Sequence, residues 1–116
     1  MGSNYKQNRV NEEIKRAVAS ILSEVKDPRI PPMPTVVSVE VSGDLNYAKI
    51  YLSFLGDYNE AEVRKGLKAC SGYVRRRIGE CVRMRNTPEP IFVLDRSLEQ
   101  GIRINEILKK LEDGNG

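Results

Sequence analysis

Apolar positions recur at three- and four-residue spacing through residues 9–26: Val10, Ile14, Ala17, Val18, Ile21, Leu22 and Val25. That spacing puts them on one stripe of an amphipathic helix. Asp27-Pro28 is expected to end the helix, because proline disfavours helical backbone in the residue before it. Pro31-Pro32-Met33-Pro34 reads as a stiff, extended connector. From Thr35 to Val41 the pattern switches to alternation, with Val37, Val39 and Val41 on one face and Ser38 and Glu40 on the other. Ser42-Gly43-Asp44-Leu45-Asn46 is turn chemistry. Residues 47–54 alternate again, with Ala48, Ile50, Leu52 and Phe54 facing one way and Tyr47, Lys49, Tyr51 and Ser53 the other. Two alternating runs around a short polar turn predict a β-hairpin.

Residues 59–85 return to helical periodicity, with small residues and a glycine, Cys70-Ser71-Gly72, at their centre. A break follows at residues 86–90, which hold two prolines. Ile91-Phe92-Val93-Leu94 is a continuous apolar run, as expected of a fully buried strand. Ser97-Leu98-Glu99-Gln100 fits a capping box that opens a last helix over residues 97–111, and the final residues read as a tail. The predicted order is helix, strand, strand, helix, kink, helix, strand, helix. The fold class is therefore α+β: three strands in one sheet with helices packed on one face. A chain of 116 residues fits one domain, with an ordered body over about residues 5–112.

Charge changes the picture of the central helical stretch. The net charge of +3 is mild, but Arg64, Lys65, Lys68, Arg75, Arg76, Arg77, Arg83 and Arg85 are concentrated there, against Glu80 as the one acid after Arg64. On a wheel with Val74 at zero and about 100° per residue, Val63, Leu67, Cys70, Ile78 and Cys81 lie within roughly 40° of it. The apolar stripe thus keeps phase across Gly72. Arg64, Lys65, Lys68, Arg75, Arg76 and Arg83 group between roughly 80° and 200°. This is a basic face turned from the core, of the kind that meets a polyanion. Arg77 lands near 300°, at the core margin, and stays unassigned.

Other chemistry has little support. The sequence contains no histidine, the commonest base for a serine or cysteine nucleophile. No P-loop or Gly-x-Gly-x-x-Gly precedes a helix. The isolated aspartates fall at turns, and no paired carboxylates suggest acid–base work. Cys70 and Cys81 would stand about 16 Å apart on a straight helix, too far for a disulfide, and are expected to be small buried apolar residues. No enzymatic activity, cofactor or metal is expected. No apolar run approaches a membrane span, and the first residues hold no secretory signal, so a cytoplasmic, membrane-free monomer is the expectation.

The order of two strands before a helix pair resembles a type II KH domain, where nucleic acid binds a Gly-x-x-Gly loop between helices. Here Cys70-Ser71-Gly72 stands in that place. Four stretches add a closer resemblance. They are Asp27-Pro28-Arg29-Ile30; Val39-Glu40-Val41-Ser42-Gly43-Asp44-Leu45 with Ala48-Lys49-Ile50-Tyr51; Arg83-Met84-Arg85-Asn86-Thr87-Pro88-Glu89; and Phe92 to Asp95 with Ser97 and Gly101-Ile102-Arg103-Ile104. In this order and spacing the chain resembles the ribosome-binding factor A family. In that family an Ala-x-Gly kink replaces the KH loop; Ser71-Gly72 match it, and Cys70 stands where alanine is usual.

The resemblance implies a ribosome assembly factor that binds the free small (30S) subunit. It implies help with late maturation and 5′-end processing of 16S rRNA, a role in the cold, and a functional link to assembly GTPases. The candidate RNA-binding residues are Lys65, Lys68, Ser71, Gly72, Arg75, Arg76, Arg83 and Arg85, with Lys49 and Arg9 as weaker candidates. Two other readings stay open: a single-strand RNA binder stacking bases on Tyr47 and Tyr51, and a module that docks a protein partner.

Overall fold

In the computed structural model, which describes residues 2–96, five elements follow one another: α1 (Gly2–Glu24), β1 (Thr35–Val41), β2 (Tyr47–Ser53), α2 (Glu60–Cys81) and β3 (Glu89–Leu94). The helix expected over residues 97–111, and with it Ser97 and Gly101 to Ile104, lies outside the described residues. β1 and β2 form the predicted antiparallel hairpin. β3 runs parallel to β2, so the sheet is mixed and its order is β1-β2-β3. Parallel neighbours cannot be joined by a tight turn. α2 supplies the crossover, which fixes one of its faces against the sheet.

The alternation in β1 is interrupted. Val36 pairs with Leu52 and Ser38 with Tyr51, leaving Val37 as a bulged residue between them. A bulge shifts the side-chain phase by one position. Val36, Val39 and Val41 therefore face the core, whereas Val37, expected there, is half-buried. The core pairs are Val36–Leu52, Val39–Ile50 and Val41–Ala48. On the outer face Glu40 lies opposite Lys49. The turn at residues 42–46 is held by Asp44, which accepts from the Ser42 hydroxyl at 2.6 Å and the Asn46 N–H at 3.0 Å.

β3 departs from the fully buried strand expected of its apolar run. Pro90 is buried, Ile91 is exposed, and Phe92, Val93 and Leu94 are half-buried. The reason is its place at the sheet edge, with a partner on one side only among the described residues. Such an edge also tolerates Pro90, which has no N–H to give to a ladder.

Ile14, Val18, Ile21 and Leu22 of α1 and Val63, Leu67, Val74 and Ile78 of α2 close over the hairpin's apolar face. Both helices pack on this one face, as expected. Fully burying an isoleucine or valine contributes about 1.5–3 kcal/mol relative to exposure, and Ile14, Ile50 and Ile78 are all fully buried. α1 is also stitched to β1 where the Val41 N–H donates to Asn11 Oδ1 at 3.0 Å.

α1 ends at Glu24, three residues before the aspartate expected to stop it. Asp27 instead organises the next turn: its carboxylate accepts from the backbone N–H, Nε and Nη2 of Arg29 at 2.9, 3.0 and 2.7 Å. The connector beyond is not simply extended, because Met33 takes a left-handed backbone (φ 58°). The turn packs onto α2 at Gly66. A Cβ there would stand 2.9 Å from Ile30 Cγ1 and 3.3 Å from Arg29 Cβ.

The end of α1 is fastened to α2 by Glu24. It accepts from Arg77 Nη2 at 3.1 Å, Arg77 Nε at 3.2 Å and the Tyr73 hydroxyl at 2.7 Å. Arg77 Nη1 also donates to Glu80 at 2.6 Å. These bonds hold the Glu24 carboxyl below its ordinary range and push the Arg77 guanidinium higher, through Glu24 first and Glu80 second. Arg77 is thus an interhelical clasp.

The paired carboxylates make stability depend on pH. Arg29's hydrogen bonds hold the Asp27 carboxyl at about 2 instead of 3.8, and Glu24 is lowered likewise. At pH values between the folded and unfolded pKa, the unfolded chain binds more protons, so stability rises with pH there. The urea midpoint should stay level down to about pH 5 and fall steadily as the pH drops towards about 2. A level midpoint across that window would remove both carboxylates from the account. Separately, Gly66→Ala should lower stability by about 1–3 kcal/mol in urea unfolding, since its methyl group overpacks the site. Alanine's better helix propensity alone would raise it.

Candidate nucleic-acid interface

The helical stretch expected over residues 59–85 proves to be one helix, α2, with Asn59 as its N-cap accepting from the Glu62 N–H at 3.2 Å. It is shorter than expected at its C-terminal end, and it runs through Ser71-Gly72 unbroken. The two helices separated by a kink are therefore a single hydrogen-bonded helix in this chain. Ser71, half-buried, turns its hydroxyl back to the Lys68 carbonyl at 2.9 Å.

Lys65, Lys68, Arg75 and Arg76 are all exposed on α2. On the same wheel Gly72 falls near 160°, in the middle of the arc these four residues occupy. Lys65 and Lys68 lie on its N-terminal side and Arg75 and Arg76 on its C-terminal side. α2 contains three glycines, and each costs a helix interior roughly 0.5–1 kcal/mol relative to alanine. Gly66 and Gly79 have a packing reason. A Cβ at Gly79 would meet Thr87 Oγ1 at 2.8 Å, just as one at Gly66 meets Ile30. Gly72 has none, because a Cβ there would find nothing within 4 Å. The centre of the basic face is a bare stretch of helix backbone open to a partner.

Arg83, which the wheel placed on the basic face of a helix, reaches the surface by a different route, and Arg85 follows it. α2 stops at Cys81, and Val82 caps it in extended conformation (φ −121°, ψ 126°), its N–H donating to the Ile78 carbonyl at 2.8 Å. From there the chain alternates: Val82 is buried, Arg83 exposed, Met84 half-buried, Arg85 exposed. The loop is anchored by fully buried Pro88 and meets α2 where Thr87 lies over Gly79. Arg75 Nε donates to the Thr87 carbonyl at 3.2 Å, which ties the loop's basic residues to the helix face.

The cations differ in how far they are engaged. Arg64 and Lys65 face Glu60 and Glu62 at 3.9 and 3.6 Å, and Arg76 faces Glu80 at 4.0 Å with its guanidinium 5.5 Å from the Tyr73 ring. Exposed helix pairs of this kind contribute little and yield readily to phosphate. Lys68, Arg83 and Arg85 make no ion pair with any described residue. Lys49 is exposed on the opposite, outer face of the sheet, and Arg9 pairs with Glu13 on α1 at 3.5 Å; neither joins the α2 group. Tyr47 is exposed, whereas Tyr51 is half-buried and donates to Glu40 at 3.3 Å.

The cysteines also differ from expectation. Cys81 is exposed, because the helix ends there and the stripe no longer faces the core. Cys70 is half-buried, its thiol donates to the Leu67 carbonyl at 3.4 Å, and burial raises its pKa. The sequence reading missed Gly79 and Thr87, which set the loop. The signal available was three glycines in one helix, each needing a reason.

Known proteins resemble this chain in sequence and overall fold. Residues 6–108 match the family described as ribosome-binding factor A. A ribosome-binding factor A from Caldanaerobacter subterraneus subsp. tengcongensis is 46% identical over 114 residues, covering 97% of this chain and 93% of that protein. The fold resembles the crystal structure of ribosome-binding factor A from Thermus thermophilus, with TM-score 0.68 at 24% identity over 76% of this chain and 93% of that one. It also resembles the Thermus thermophilus protein as fitted into a cryo-EM map of a 30S complex, with TM-score 0.65 at 26% identity over 78% of this chain and 96% of that one. With a family match across nearly its whole length and a relative at this identity, the chain belongs to the ribosome-binding factor A family.

Proposed function

We propose that this protein binds the free small (30S) ribosomal subunit by laying the α2 basic face and the 83–85 loop along 16S rRNA backbone. The observation that carries the reading is the open flank of Gly72, set between Lys68 and Arg75 on an unbroken helix. Phosphate can approach the helix backbone there without meeting a side chain. Lys68, Arg75, Arg83 and Arg85 supply the charge, and arginine's planar fork suits phosphate oxygens. Recognition of this kind reads shape and phosphate spacing, with base identity left aside. The family relationship supports the subunit as target, since a Thermus thermophilus relative was fitted into the map of a 30S complex.

The protein acts as a cytoplasmic monomer without catalysis or cofactor. It holds an immature rRNA conformation during late maturation and 5′-end processing, matters most in the cold where rRNA misfolds persist, and leaves with the help of an assembly GTPase. Counterion release makes such binding weaken steeply with salt.

Lys68→Glu combined with Arg85→Glu should abolish co-sedimentation with free 30S subunits while thermal unfolding stays unchanged. Each single Lys68→Ala or Arg85→Ala exchange should make the log–log salt slope shallower by about one. Intact co-sedimentation of the double variant would sink the interface. Gly72→Ala should raise stability by roughly 0.5–1 kcal/mol and yet weaken 30S binding. A more stable variant that binds normally would show that close backbone approach has no part in the contact.

A further inference from the structure

Tyr73 follows Gly72 on α2 and is the helix's one aromatic residue, with 36% of its surface exposed. On the same wheel it falls near 260°, about 60° beyond Arg76 at the border of the basic arc. Its side chain is held at both ends. The backbone end belongs to an unbroken helix, and the hydroxyl at the far end donates to Glu24 of α1 at 2.7 Å. Glu24 is itself held by two bonds from Arg77, at 3.1 and 3.2 Å. Two helices thus fix the position of the ring before any partner arrives, and a pre-ordered side chain loses little freedom on binding.

The clasp between the helices does not need that ring. Arg77 alone gives Glu24 two bonds and adds one to Glu80 at 2.6 Å. The ring has a cation as its second neighbour: the Arg76 guanidinium lies over its face, 5.5 Å from the centre. That is near the outer limit of about 6 Å for a cation–π contact. Arg76 is otherwise loosely engaged, with its side chain 70% exposed and Glu80 at 4.0 Å. The ring face nearest the basic arc is therefore covered by a side chain that can leave it.

A nucleotide replaces both halves of that contact. Its base stacks on an aromatic ring more strongly than an exposed guanidinium does. Its phosphate draws the displaced arginine by a charge-assisted hydrogen bond. Stacking of this kind takes an unpaired base, splayed out of any helix. The flank of Gly72, where the proposed function seats phosphate, is open. Gly72 and Tyr73 are consecutive, so phosphate on the first and base on the second belong to one nucleotide or to neighbours.

We propose, resting on the α2 face as the rRNA contact, that Tyr73 is a stacking platform for one unpaired base of the bound rRNA, with Arg76 moving from the ring to phosphate. Any base can stack, so the platform demands single-stranded rRNA without demanding a sequence.

The chain has no tryptophan, so Tyr73→Trp introduces a single indole at the platform. It is saturated with free 30S subunits, and the emission of the wild-type complex is subtracted. The indole should lose more than half its fluorescence, because a stacked base quenches it. Tyr73→Leu should weaken 30S binding at least about fivefold. Tyr73→Phe, which keeps the ring and forgoes the bond to Glu24, should recover most of that loss. Undiminished emission in a complex that co-sediments overturns the proposal. So does a blue shift without quenching, the sign of a ribosomal protein over the ring. Equal weakening by leucine and phenylalanine would assign Tyr73 to the clasp alone and overturn it, as would full affinity in the leucine variant. The Lys68→Glu, Arg85→Glu variant separates the two readings. Its loss of co-sedimentation beside an unquenched Tyr73→Trp complex confines the failure to the platform. Its normal co-sedimentation overturns the α2 face and the platform with it.

Discussion

The parallel pairing of β2 with β3 is the constraint on which the remaining structure depends. An antiparallel third strand could have followed β2 by a short turn. A parallel one requires the chain to return to the other end of the sheet, and α2 is the length of helix that does so. Its inner stripe, from Val63 to Ile78, is then committed to the core. The outer arc is committed to the surface, and the loop that re-enters the sheet must leave from the C-terminal end of α2. That is why the loop carrying Arg83 and Arg85, no longer helical, is still tied to Arg75: the return to β3 passes over the last turn of α2, where Gly79 admits Thr87. The basic surface is a consequence of topology as much as of helix periodicity.

Much of this was legible because the governing physics is periodic and local. The stripe of α1, the hairpin with its Asp44-centred turn, and the phase of α2 across Gly72 all follow from spacing alone. The misreadings share a cause: each depends on a neighbour distant in sequence. The bulge at Val37 depends on how β1 registers against Leu52 and Tyr51. The half-burial of β3 depends on its being an edge, which its apolar run cannot reveal. Cys81 keeps the phase of a buried residue, yet the helix ends beneath it. Arg77 sat at the core margin on the wheel, but only the packing of α1 shows that Glu24 receives it. Within the candidate site, the identity of the basic residues was readable from sequence. The unbroken helix at Gly72 and the pinning of the 83–88 loop were not.

The three glycines of α2 illustrate how one residue type carries different causes. Gly66 and Gly79 exchange helix propensity for close packing, admitting Ile30 and Thr87. The cost of each is offset within the fold. Gly72 has no such compensation, so its cost falls on stability with no intramolecular return. Under the proposed function, the return for that cost lies outside the chain, in the approach of a phosphate to the bare backbone among the surrounding cations.

The distribution of acids along α2 sharpens that argument. A run of like charges on one helix face repels itself, and the usual remedy is to intersperse acids. Here the acids stand at the ends: Glu60 and Glu62 near the N-terminus, where they also favour the helix dipole, and Glu80 near the C-terminus. They partner Arg64, Lys65, Arg76 and Arg77. Between Glu62 and Glu80 lie seventeen residues without an acid, and Gly72 is close to their midpoint. Lys68 has no ion-pair partner among the described residues, and Arg75 spends only its Nε on a backbone carbonyl. Acids placed at the flanks hold the outer cations in register without neutralising the centre. Along α2, repulsion is therefore left uncompensated around the bare backbone, where the phosphate of the proposed function would relieve it.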